Sequence, residues 1–281
     1  MSMQERLDIY EEIVALRCMG RRAVLVTIIN GKGSVPSTAS SKLLIREDGS
    51  TLGSIGGGFV EAEACRLAPE ILKAERPRKI SFDLNQHLSA DRGMVCGGSM
   101  ELYLEPIVPP PTLLLFGAGQ TPMAVYRVAQ LAGFNVTVID DQPEHLNAER
   151  FPFAERILGA SATLLPQLTI DRDTFIVIMT RAHSEDMEIL RWAIGTDARY
   201  IGMIGSERKV ISIFKHLTAD GVPRHLLEQV HAPIGLDIGA MTPEEIAVSV
   251  TAELIAVRRG HRAEAQHLKS GKAIAMLTRV S

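Results

Sequence analysis

Apolar residues recur at helical spacing near the start of the chain. Leu7, Ile9, Tyr10, Ile13, Val14 and Leu16 predict an amphipathic helix over about Gln4 to Met19. The period then shortens. Strand-like runs at residues 23–29 and 42–45 are followed by the turn Glu47-Asp48-Gly49-Ser50, which leads into Thr51-Leu52 as a hairpin. A second helical pattern runs from Phe59 to Ala74, and two late strands are expected near residues 79–82 and 99–104. This half reads as a mixed, strand-rich α+β domain.

Beyond Thr112 the alternation is regular. Buried-type apolar runs at residues 113–116, 135–139, 175–179 and 200–204 predict strands. Helical patterns lie between and after them, near residues 123–132, 186–194, 209–217 and 242–259. The last has a strong start signal, with Thr242 as N-cap, Pro243 in the first turn and Glu244-Glu245 next. Strands alternating with helices predict an α/β fold with a doubly wound parallel sheet of Rossmann type. Between the halves stands Glu105-Pro106-Ile107-Val108-Pro109-Pro110-Pro111-Thr112, where neither a helix nor a central strand is expected to continue. The predicted organisation is an N-terminal domain over 1–108, a Rossmann-like domain over 113–260, and a tail over 261–281.

Composition narrows the class. With 46% hydrophobic and 22% charged residues, the 281-residue chain can bury two cores. A net charge of −3 points away from nucleic acid and anionic membrane surfaces as partners. Apolar runs such as Phe175-Ile176-Val177-Ile178-Met179 are far too short to span a membrane. Three cysteines without pair spacing, and an N-terminus without a secretory pattern, lead to the expectation of a cytoplasmic protein.

The candidate chemistry is concentrated in glycine-rich segments. Gly53-Ser54-Ile55-Gly56-Gly57-Gly58 runs into Phe59-Val60-Glu61, and Gly93-Met94-Val95-Cys96-Gly97-Gly98 sets a thiol among glycines. Such backbone bends sharply or approaches a ligand closely. A thiol there is open to soft metals or sulfur transfer, while two tight turns around a small buried residue remain the alternative. Cys65, on the predicted 59–74 helix, and Cys18, near a helix end, read as core or surface.

In the second half, Phe116-Gly117-Ala118-Gly119-Gln120-Thr121-Pro122 follows a strand and opens a helix, the dinucleotide-binding arrangement. Asp140-Asp141 ends the next strand, where a carboxylate accepts hydrogen bonds from ribose and disfavours a 2′-phosphate. Pro122 stands where a small residue is usual. Thr180-Arg181-Ala182-His183-Ser184-Glu185-Asp186 follows a later strand, and His183 reads either as a cap or as an acid–base group. If His183 and Asp186 open one helix, they should share a face. No histidine cluster with metal spacing, nucleophile elbow or Walker loop occurs in the sequence.

Together these segments resemble the XdhC/CoxI family, accessory factors of xanthine dehydrogenase and related molybdenum hydroxylases. Gly33-Ser34-Val35-Pro36 and the two glycine tracts resemble its N-terminal domain. Phe116-Gly117-Ala118-Gly119, Asp140-Asp141, the Thr180–Asp186 stretch and Tyr200-Ile201-Gly202-Met203-Ile204-Gly205-Ser206 resemble its Rossmann domain. The segment from Pro233-Ile234-Gly235-Leu236-Asp237 to Thr242-Pro243-Glu244-Glu245-Ile246-Ala247 resembles its most distinctive C-terminal motif. Ser37 and Ser40 depart from the arginine and glycine usual in the first loop. Gln120 and Pro122 depart from the histidine and small residue usual in the Rossmann turn.

The resemblance implies a chaperone that binds the molybdenum cofactor, molybdopterin, holds it for sulfuration, and inserts it into an apo molybdenum hydroxylase. It implies Gly56, Gly57, Gly58, Glu61, Cys96, Gly97, Gly98, Gly117, Gly119, Asp140, Asp141 and His183 as cofactor-contacting residues. Cys96 is the candidate metal contact, whether by ligation, sulfur relay or pocket shape. Expected partners are the hydroxylase, a cysteine desulfurase and a second copy in a homodimer. The alternative reading is an NAD(H)-dependent oxidoreductase built on the Rossmann half, with His183 as acid or base.

Overall fold

The computed structural model describes residues 8–33, 40–83 and 98–260. Cys96, Gly97, the Gly33-Ser34-Val35-Pro36 loop beyond Gly33, Ser37 and the tail after Gly260 lie outside the described residues. The chain divides into two compact units, one ending at Pro110 and the other beginning at Pro111.

In the first unit, α1 (Ile9–Cys18) precedes β1 (Ala23–Gly33), β2 (Lys42–Arg46) and β3 (Thr51–Gly53). Then come α2 (Gly58–Ala74), β4 (Arg78–Asp83) and β5 (Gly98–Ile107). The strands form one antiparallel sheet in the order β3-β2-β1-β5-β4. Alternation along β1 divides the core between the two faces of the sheet. Val24, Val26 and Ile28 pack on Val60, Ala64, Leu67 and Ile71 of α2. Ala23 and Leu25 pack with Leu16 of α1 and Leu44 on the other face.

The strand β5 runs further than expected, through Glu105, Pro106 and Ile107. Its pairing with β4 ends at Leu104, whereas β1 stays paired as far as Ile107. Proline lacks an N–H, and at Pro106 only one flank of the strand is in a ladder. The prolines therefore interrupt the chain only after Ile107.

The second unit alternates strand and helix. It contains β6 (Thr112–Phe116), α3 (Gln120–Leu131), β7 (Asn135–Asp140), β8 (Glu155–Leu158), the short α4 (Ser161–Leu164) and β9 (Thr174–Ile178). There follow α5 (His183–Ala193), β10 (Tyr200–Met203), α6 (Glu207–Ala219), the short α7 (Arg224–Leu227) and α8 (Pro243–Arg258). The sheet is parallel, in the order β10-β9-β6-β7-β8. One face packs on α3 and α8 through Val125, Ala129, Val250 and Leu254. The other packs on α5 and α6 through Ile189, Leu190, Val210 and Ile213. This is a doubly wound Rossmann-type sheet, and the order reverses between β6 and β9, where such folds open a crevice at the strands' carboxyl ends.

Helices α3 and α5 each begin three residues before the apolar pattern does. The first turn of α5 opens on the exposed polar residues His183 and Ser184, and that of α3 on Gln120 and Thr121 before the buried Pro122, so periodicity marks only the second turn. The short strand β8, bonded only to β7, was not expected from the pattern, because no residue in it is fully buried.

Candidate functional site

The first glycine tract is organised by a carboxylate. Gly56, Gly57 and Gly58 all have positive φ (111°, 73° and 65°), a run that side chains rarely tolerate. The resulting bend turns the amides of Ile55 and Gly57 onto Oε1 of Glu61, each at 2.9 Å. Ser54 Oγ donates to the same oxygen at 2.7 Å and itself accepts the Gly56 amide at 3.1 Å. Partial burial works against the charged carboxylate, but the Ser54 hydroxyl and the two amides outweigh it and hold Glu61 below the ordinary glutamate range. Backbone amides that could cradle a phosphate are thus already turned onto an internal anion.

On the next turn of α2, burial and the nearby Glu61 charge raise the Cys65 thiol above its usual value. A thiol so placed stays protonated at neutral pH. Gly98 lies at the start of β5, opposite Gly33 of β1.

In the second unit the crevice is built around Gly117. Its φ is 111°, and a Cβ there would fall 2.3 Å from the Met179 carbonyl oxygen at the end of β9. Only a glycine lets the β6 turn cross the β9 end at this distance. Gly119 is the N-cap of α3, which has no side-chain cap. Arg150 Nη2 donates to the carbonyls of Ala118 and Gly119 at 2.8 and 3.1 Å, holding the turn from outside.

Asp140 is buried and faces the turn. Its Oδ2 accepts the Ala118 amide at 2.8 Å and its Oδ1 accepts the Gln142 amide at 2.9 Å. Asp141 is exposed and accepts from Arg181 at 2.8 Å, while the same guanidinium lies 3.4 Å from Asp140. The two acidic residues are therefore adjacent but differently used.

His183 and Asp186 both open α5, but their surroundings differ. His183, the first helical residue, is exposed, whereas Asp186 is fully buried. Asp186 Oδ1 accepts the Thr180 amide at 3.0 Å and the Thr180 hydroxyl at 2.7 Å. Its Oδ2 pairs with Lys209, which also donates to the Ile204 carbonyl at 3.1 Å. Arg150, Arg181 and Lys209 were not singled out by the sequence, since a cation's spacing says nothing about which carbonyl or carboxylate it reaches.

A second buried polar cluster holds the C-terminal motif. Glu253 of α8 accepts from the Tyr200 hydroxyl, lies 3.0 Å from His231 Nδ1, and accepts the Gly235 amide at 2.8 Å. Burial pushes the Glu253 carboxyl up, but His231, Tyr200 and the Gly235 amide prevail and leave it low. Burial first, then the Glu253 charge, pushes Tyr200 well above the usual tyrosine value. Ser249 Oγ donates to the Leu236 carbonyl at 2.6 Å, so one helix fixes two consecutive residues of the motif.

Among the described residues, no group of three or more His, Cys, Asp or Glu could hold a metal ion, and no helix is long and apolar enough to cross a membrane.

Both units match known families. Residues 113–254 match the XdhC Rossmann domain, and residues 16–83 match the XdhC and CoxI family. The chain belongs to the XdhC/CoxI family. Within it, the chain is similar to YqeB of Escherichia coli K12, at 33% identity over 254 residues, covering 90% of this chain and 46% of YqeB. This chain thus spans about half the length of that relative. It is also similar to the molybdenum cofactor insertion chaperone PaoD of the same organism, at 27% identity, covering 85% of this chain and 84% of PaoD. A crystal structure of a xanthine dehydrogenase from Bacillus halodurans shares the fold, with a TM-score of 0.51 at 23% identity, covering 94% of this chain and 98% of that one. In XdhC/CoxI terms, the Glu61-filled glycine tract belongs to the N-terminal family domain and the Gly117 turn to the Rossmann domain.

Proposed function

We propose that this XdhC/CoxI protein is a molybdenum-cofactor chaperone. It holds the molybdopterin cofactor for sulfuration and inserts it into an apo molybdenum hydroxylase of the xanthine dehydrogenase type. The reading rests above all on similarity to PaoD along most of both chains. The hydroxylase, a cysteine desulfurase and a second copy of the chain are the partners this reading requires.

The described residues fit such a cofactor in a particular way. Phosphate binding at the Gly56–Gly58 tract would compete with Glu61, which already occupies the Ile55 and Gly57 amides. A Cβ built on Gly57 would meet nothing within 4 Å, so open space lies beside the backbone at that position. In the second unit, taken by itself, the start of α3 has no side-chain cap and suits an anionic group. Cys96, with Gly97 and Gly98, remains the proposed contact to the molybdenum–sulfur centre. Glu61, Asp140 and Gly117 act on this reading by shaping the backbone, with Asp141, Gly119 and His183 left at the surface of the crevice.

The test is to purify the full chain, with and without Cys96→Ala, and measure retained molybdopterin by the fluorescence of its oxidised form. Pterin on the wild type and less on the variant is expected; none on either overturns the reading. The oxidoreductase alternative predicts saturable NADH binding weakened by Asp141→Ala. The inward-facing Asp140 counts against it, because both its oxygens already accept backbone amides.

A further inference from the structure

Helix α8 is apolar on two sides. Ala247, Val250 and Leu254 bury one side in the core of the second unit. Val248 and Ile255 lie on another, 52% and 40% exposed, and Met241, just before the helix, is 88% exposed. Val248 and Ile255 are spaced by seven and fall in a single stripe along the helix, with Met241 exposed ahead of its N-cap. Ile238, 52% exposed, precedes them on the incoming loop. A helix apolar around most of its circumference is one built to be covered.

The ends of the stripe carry opposite charge. Glu244 is exposed in the first turn, and Arg259 is exposed at the C-cap. We propose that this stripe binds the same stripe of a second copy, the two α8 helices running antiparallel about a two-fold axis. One register satisfies both the apolar and the charged positions. Setting Val248 against the partner's Ile255 puts the axis between Thr251 and Ala252. That same axis sets Glu244 against the partner's Arg259. The side chain nearest the crossing on the open side is Ala252, small enough for close helix approach.

A two-fold contact repeats each pair, so two apolar pairs and two charge pairs form at once. Antiparallel helices also oppose their dipoles favourably. A single helix stripe buries less than the ~800 Å² per partner of a standard interface, so the pairing is expected to be micromolar. The inference rests on the self-association named above and not on cofactor binding.

The experiment is analytical ultracentrifugation of the full chain from about 1 to about 100 µM, a range that brackets a micromolar Kd. The wild type is expected to show a concentration-dependent dimer. Val248→Glu should raise its Kd by about tenfold or more. Glu244→Arg and Arg259→Glu should each weaken it several-fold, and the double variant should recover most of the loss. The charge variants lie at exposed positions, and circular dichroism verifies that each is folded. A chain that stays monomeric overturns self-association, and this surface with it. A dimer indifferent to all four variants overturns the α8 surface alone.

Discussion

The Glu61 carboxylate, in the first turn of α2, accepts the amide of Gly57, the N-cap of that helix, at 2.9 Å. This reach-back resembles a capping box displaced by one residue, and it extends to Ile55 and Ser54. Removing the carboxylate leaves two amides without an acceptor. Glu61→Ala is expected to cost about 1–2 kcal/mol of stability in chemical denaturation, with Glu61→Gln losing less. Formate should restore part of the loss in Glu61→Ala by entering the vacated cradle. An unchanged denaturation midpoint in the alanine variant would remove Glu61 from its assigned place.

The same carboxylate has a pH signature. Its folded pKa lies below the ordinary 4.5, so it contributes stability at neutral pH. That contribution is lost as pH falls from about 4.5 through the lowered value. Wild type and Glu61→Gln should therefore converge in stability on acidification, as read from urea midpoints between about pH 7 and pH 3.

Much of the fold was legible because it depends on burial alone. Strands β6, β7 and β9 are apolar runs buried on both faces, and the turn at Gly117 follows the first of them. What escaped was set by partners distant in sequence. Asp140 was read as a ribose acceptor because of its place at a strand end, and that place equally lets it hold Ala118, 22 residues earlier. Spacing places His183 and Asp186 in the first turn of one helix, but the side chain that matters to Asp186 is Lys209, on another helix. Glu61 was legible as an important acid, though not as an anchor for the glycines before it.

The Gly117 turn tolerates no side chain. Gly117→Ala would place a Cβ 2.3 Å from the Met179 carbonyl oxygen at a backbone angle that alanine resists. Destabilisation of the second unit by more than about 2 kcal/mol is expected, from strain together with the clash. Gly119→Ala, whose Cβ would meet only Pro122 Cδ at 3.8 Å, should be far milder. Equal effects in thermal melts would show that the crossing with β9 is not what requires glycine.

Asp186 and Lys209 form an ion pair with one partner fully buried and the other nearly so. Lys209→Met should cost about 3–5 kcal/mol, because it strands a buried carboxylate. Removing both charges in Asp186→Leu with Lys209→Met should cost less than the single change, although Thr180 then loses its acceptor. A double variant less stable than either single, in urea titration, would mean that the pair contributes more than it costs to bury.

Tyr200 and Glu253 predict an alkaline limb. The folded tyrosine ionises well above its ordinary value of 10.0, since burial and the adjacent Glu253 charge both oppose a phenolate. Protons therefore leave the unfolded chain first, and stability falls as pH rises above about 10. Tyr200→Phe removes the group that titrates and should flatten that limb. It also withdraws one donor from Glu253, leaving His231 and the Gly235 amide to hold it. The variant is thus expected to be less stable at pH 7 by about 1–2 kcal/mol, yet less sensitive to base. An alkaline limb as steep in Tyr200→Phe as in wild type, followed by fluorescence-detected unfolding, would assign it to other groups.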